Sequence, residues 1–137
     1  MKNTLIITAF AAVTLMYSAS CKKKKADPHV PPNVAFKTGG NYTSGDRTIA
    51  RKDTIVVGII AEKTEDDLKS YNASFTYDAN TTSTTFYNYL LNSSEAQYFE
   101  KDIKIGVRDQ AGTENWVFSI IDRDGNITQK TIVLTVN

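Results

Sequence analysis

From Asn33 onward, apolar and polar residues alternate in short runs broken by turn-forming residues, and apolar positions almost never recur at helical spacing. Val34–Lys37 reads as a short strand closed by Gly39-Gly40, and Thr48–Arg51 as a second piece after Ser44-Gly45-Asp46. Thr54–Glu62 (TIVVGIIAE) is apolar at both parities. That predicts a strand central in its sheet and covered on both sides, or one whose second face lies beneath a loop. Tyr71–Asp78 alternates strictly, with Tyr71, Ala73, Phe75 and Tyr77 on one face and Asn72, Ser74, Thr76 and Asp78 on the other. Thr84–Leu91 (TTFYNYLL) follows a Thr/Ser/Asn loop, and Ser93–Gln97 predicts one helical turn capped by Ser93 or Ser94. Ile103, Ile105 and Val107 then alternate with Lys104 and Arg108. The clearest pair of strands comes last, Glu114–Asp122 and Ile127–Val136, joined by Asp124-Gly125 with the positive φ that a tight hairpin needs. Short strands at a spacing of roughly 8–12 residues predict an all-β fold, a β-sandwich of about seven strands.

The first residues follow a different pattern. Lys2 precedes an almost unbroken apolar run from Leu5 to Tyr17. As a helix those 13 residues rise about 20 Å, short of a bilayer core of about 30 Å, so the run predicts an export signal rather than a membrane span. Ser18-Ala19-Ser20 then leads into Cys21, the only cysteine of the chain. This stretch resembles the lipobox of bacterial lipoproteins, in which small residues precede a cysteine that becomes the lipid-bearing N-terminus. Ser18 stands where that pattern usually has Leu. The alternative is ordinary signal cleavage after Ser20, leaving a free thiol. Lys22–Lys25 either reinforces an acyl anchor at an anionic surface or serves as a solvated spacer, and Ala26–Pro32 (ADPHVPP) is an extended, proline-rich stalk. The expected organisation is a signal peptide over 1–20, a lipidated Cys21 with its tether over 21–32, and a sandwich domain over 33–137. An acidic stretch after the cysteine marks surface export in some Gram-negative groups. The lysines here are its opposite, so an outer-membrane anchor facing the periplasm is expected.

Gly112, Trp116, Phe118, Ile120, Asp122, Gly125 and Asn126, followed by Ile132, Leu134 and Val136, form a recognisable series. It resembles the closing hairpin of bacterial immunoglobulin-like domains, and Phe36–Lys63 is similar to the opening of small single-domain lipoproteins of gut-type Gram-negative bacteria. The resemblance implies an immunoglobulin-like sandwich with an adhesive, spacing or subunit role. The antibody pattern of two cysteines flanking a tryptophan is absent.

Charge and candidate chemistry narrow the function further. Of the 16 basic residues, 11 follow Lys25 together with all 15 acidic ones, which leaves the domain at net −4 and argues against nucleic acid as a partner. His29, the only histidine, sits in the stalk, where no rigid nucleophile–base pair can form, so no catalytic residue is expected. Asp122, Asp124 and Asn126 share a turn, but Thr131 stands where a calcium loop needs glutamate, so hairpin chemistry is expected there and no metal or cofactor. Tyr87 and Tyr89 are the candidate binding residues. On an edge strand, paired tyrosines can stack on sugar or anchor a protein partner; packed inward, they are simply core. Two functions follow: a membrane-tethered, non-enzymatic binding or structural module, or an accessory subunit of a glycan-capture or surface-assembly system that uses an exposed tyrosine strand.

Overall fold

The computed structural model describes residues 28–137. The expected signal peptide, Cys21, the lysine run and the tether as far as Asp27 lie outside the described residues. Eight strands follow one another: β1 (Asn33–Phe36), β2 (Arg47–Ile49), β3 (Thr54–Glu62), β4 (Leu68–Tyr77), β5 (Thr84–Leu90), β6 (Tyr98–Gly106), β7 (Gly112–Asp122) and β8 (Ile127–Val136). They form a three-stranded sheet, β1-β3-β6, and a five-stranded sheet, β2-β8-β7-β4-β5. The expected all-β, immunoglobulin-like sandwich is therefore what the chain builds, with one strand more than the seven anticipated.

The alternating positions explain the core. Tyr71 and Ala73 of β4 pair with Ile120 and Phe118 of β7, and Trp116 of β7 pairs with Ile132 of β8. All six side chains are buried between the sheets. From the other sheet come Ile55, Val57 and Ile59 of β3 and Ile103 and Ile105 of β6. Burying such side chains is worth roughly 1.5–3 kcal/mol each.

β3, apolar at both parities, is central in its sheet, and the middle of its second face, at Gly58, lies under one side chain. The Lys37 stem crosses Gly58, where an added Cβ would come within 2.6 Å of the lysine Cδ. At that position a long aliphatic stem provides the cover.

The opening of the chain divides between the sheets. β1 pairs antiparallel with β3, while β2 pairs parallel with β8. Between them the Thr43 amide donates to the Val56 carbonyl at 2.8 Å.

Two expectations are corrected. Ser93–Gln97 is a turn rather than a helical turn, and Asn92 caps it in place of Ser93 or Ser94. The Asn92 carbonyl accepts from the Glu95 amide at 3.1 Å, and its Oδ1 from the Ser94 amide at 2.9 Å. The Ala96 and Gln97 carbonyls accept from the Leu68 and Lys63 amides, which draws the segment out toward β6 before a helix can form. In the final hairpin Gly125 alone, at φ 91°, takes the positive φ. Its amide donates to the Asp122 carbonyl, and the Asp122 amide to the Asn126 carbonyl, the three-residue loop with an αL glycine.

Candidate functional site

The stalk meets the sandwich at one end. The Thr64 hydroxyl donates to the Val30 carbonyl at 2.9 Å, and the Thr128 hydroxyl donates to the Pro32 carbonyl. The loops after β3, β5 and β7 lie at this end, because β1, β4, β6 and β8 all start there. The β4–β5 and β6–β7 loops lie at the opposite end.

Tyr87 and Tyr89 stand on β5, an edge of the five-stranded sheet. Alternation puts both on the inner face, opposite Ala73 and Tyr71 of β4. The two rings stack with centroids 6.2 Å apart. Tyr89 also stacks on Phe99 at 6.0 Å, and Tyr87 lies 5.8 Å from Tyr71. The Lys101 ammonium sits over the Tyr87 ring at 5.3 Å from its centroid, a cation–π contact from β6. The Tyr89 hydroxyl donates to Glu95 at 3.0 Å, and this carboxylate beside it raises the phenol above its ordinary range. The pair is thus half-buried, closing the seam between β5 and β6, with ring faces taken by protein neighbours. At the bottom of that seam the Tyr71 hydroxyl is buried without a hydrogen-bond partner, and burial pushes its pKa upward.

Strict alternation would place Phe86 on the outer face with Asn88 and Leu90. A bulge in β5 changes that. Ala73 pairs with Tyr87 and Ser74 with Thr85, which leaves Phe86 as the extra residue. Its ring meets the edge of the inward-facing Trp116 at 5.2 Å while remaining 44% exposed.

Sequence reasoning missed three polar clusters. At the end opposite the stalk, Arg108 donates two hydrogen bonds to Asp78, one of them from Nη1 at 2.9 Å, and its guanidinium stacks over Tyr77 at 4.7 Å. The Thr113 amide also donates to Asp78, and together with the guanidinium it holds this carboxyl at about 2. Just inside, Glu114 is buried and accepts from the Arg108 amide and from Trp116 Nε1, both at 2.9 Å. On the outer face of the smaller sheet, Lys37 pairs with Glu100 and with Asp102, the latter at 2.8 Å. The Tyr42 hydroxyl donates to the same aspartate. The partners in these ion pairs lie 30, 63 and 65 residues apart, so no local pattern could have announced them.

The expected hairpin chemistry of the acidic turn is what the structure shows. Asp122 is buried and accepts from the Asn126 amide at 2.8 Å and from its side-chain amide at 2.9 Å. In the Glu65-Asp66-Asp67 loop, Asp67 pairs with Lys63 at 3.1 Å and with Arg123 at 3.8 Å. Among the described residues no three His, Cys, Asp or Glu side chains gather as a metal-holding group, and no helix is long and apolar enough to cross a membrane.

No protein-family model matches the chain, and no curated protein is significantly similar to it in sequence. Among solved structures, several are similar to it. A family 123 glycoside hydrolase from Clostridium perfringens, studied for glycolipid glycan hydrolysis, aligns over 78% of this chain at 6% identity and a TM-score of 0.51. The chain spans only 27% of that enzyme's length, so the likeness is to one part of it and is one of fold. Murine CRIg aligns over 77% of this chain and 98% of its own length, at 13% identity and a TM-score of 0.39. The seventh ScaB type I cohesin from Pseudobacteroides cellulosolvens aligns over 78% and 92%, also at 13% identity and 0.39.

Proposed function

We propose that this chain is a non-enzymatic binding or structural module of a bacterial cell envelope, tethered to a membrane by a lipid on Cys21 and displayed on a short stalk. One observation carries the reading. Val30, Pro31 and Pro32 are held by Thr64 and Thr128 at one end of the sandwich, which puts the β4–β5 and β6–β7 loops at the end away from the anchored side. From Lys22 to His29 that stalk spans about 26 Å when extended. The buried carboxylates Glu114 and Asp122 accept hydrogen bonds from Arg108, Trp116 and Asn126 within the fold, which supports a structural rather than a catalytic role for them. The lysines after Cys21 favour the periplasmic face of an outer membrane. Of the two functions, the tethered module is favoured over glycan capture, because Tyr87 and Tyr89 pack their ring faces on Phe99, Tyr71 and Lys101 instead of offering a flat platform for sugar.

Replacing the anchor tests this. Cys21→Ser should move the chain from the membrane to the soluble fraction, since burial of acyl chains at about 0.8 kcal/mol per CH₂ far outweighs what four lysines add. A variant that stays with membranes in high salt overturns the reading.

A further inference from the structure

The sandwich has four edge strands, and three of them carry the features that keep sheet edges from pairing with other chains. β1 and β2 are only four and three residues long, and β2 carries Arg47. β6 carries Glu100, Lys101, Asp102 and Lys104. β5 is neither short nor charged, and its one such feature is the bulge at Phe86 near its start. It is seven residues long, and between Asp78 and Glu95 the chain holds neither a charged residue nor a proline. An edge of that composition is a template for another strand.

Its free backbone groups can be assigned. The Leu91 amide donates to the Lys69 carbonyl at 2.9 Å. Alternation along the antiparallel ladder then makes Tyr89 and Tyr87 the hydrogen-bonded partners of Tyr71 and Ala73, and turns the N–H and C=O of Asn88 and Leu90 outward. The Leu90 side chain beside them is 72% exposed. What the edge presents is a short row of donors and acceptors, which only an extended backbone complements.

We propose that the occupant is β5 of a second copy of this chain, paired antiparallel about a two-fold axis at Tyr89, so that the two five-stranded sheets become one. Symmetry favours the neutral strand. An isologous pair sets the same segment against itself, and a charge near the axis would lie close to its own like in the other copy. With the axis at Tyr89, Asn88 of each copy exchanges both backbone hydrogen bonds with Leu90 of the other. The bulge at Phe86 ends the ladder on one side and fixes the register. An axis at Asn88 would instead set Leu90 against the bulge. One strand per copy is a small contact, so the dimer belongs to the weak, transient class of interfaces. The inference rests on the β5 edge alone and stands or falls separately from the lipid anchor.

Residues 28–137 hold all eight described strands and their core, so this domain serves for the test. Sedimentation equilibrium should show a monomer–dimer exchange at concentrations up to about 1 mM. Asn88→Pro deletes an amide that points away from β4 and should weaken dimerisation about tenfold or more while the domain stays folded. Asn88→Lys sets a charge at the pairing edge and should do the same without touching the backbone, which keeps the test decisive should the proline variant misfold. Hydrogen exchange should slow at the Asn88 and Leu90 amides as concentration rises. A wild-type domain that stays monomeric throughout, variants that dimerise as well as wild type, or a dimer whose Asn88 and Leu90 amides exchange freely would each overturn the proposal.

Discussion

Glu114 is 1% exposed, and its burial follows from the strand period. It shares parity with Trp116, so the alternation that sends the indole inward sends the carboxylate inward too. The cost of burying it is met by two donors, the Arg108 amide and the indole N–H, each at 2.9 Å. Glu114→Ala would leave both without an acceptor and should lower stability by about 3 kcal/mol in urea unfolding. Glu114→Gln, which keeps one acceptor oxygen, should cost about half as much. Asp78 makes a complementary case near the same end. The Arg108 guanidinium, with help from the Thr113 amide, lowers its pKa from 3.8 to about 2. A depressed carboxyl stabilises the fold at every pH above its ordinary value, and that contribution fades as pH falls through about 2. Melting temperatures of wild type and Asp78→Asn should therefore differ by a constant amount near neutrality and converge between pH 4 and pH 2. A gap that persists at pH 2 would mean that Arg108 does not favour the ionised carboxylate.

Strands with clean alternation could be read directly, as Ile127–Val136 shows by matching β8 at both ends. On β6 an inward charged residue hid the pattern. β6 begins at Tyr98, five residues before Ile103, because Lys101 occupies an inward position and lays its ammonium over Tyr87, which disguises the period. The bulge at Phe86 left no trace in composition, since Thr-Thr-Phe-Tyr-Asn-Tyr-Leu alternates plausibly with or without an extra residue. That Tyr87 and Tyr89 share a face was legible; that this face turns inward and is half-buried was not, because it depends on how far β6 overlaps the edge of the larger sheet. Two predictions belong to these elements. Gly125→Val should cost about 1–3 kcal/mol, since a β-branched residue is strained at φ 91°. Tyr87→Ser with Tyr89→Ser strips two rings from the Tyr71–Phe99 cluster and should lower stability by about 2–4 kcal/mol. A double variant that melts within a degree or two of wild type would show that the rings contribute little to packing.

At the scale of the molecule, one core and two sheets account for the fold without a covalent staple, because the chain has no cysteine after Cys21. The domain from Pro28 should give a β-type circular dichroism spectrum that reductant leaves unchanged; a strongly helical spectrum, or loss of signal on reduction, would contradict the architecture. The way the chain enters also has a mechanical consequence. β1 starts at the stalk end and runs antiparallel to β3, with Asn33 opposite Glu62 and Phe36 opposite Ile59. A pull through Pro32, with the body held from the far loops, acts along β1, so the cross-strand hydrogen bonds lie across the load and share it at once. In that shearing geometry they must rupture together, whereas a pull perpendicular to the strand would peel them away one after another. The attachment of the domain to its stalk is accordingly built to resist tension along the stalk and to yield to a sideways tug.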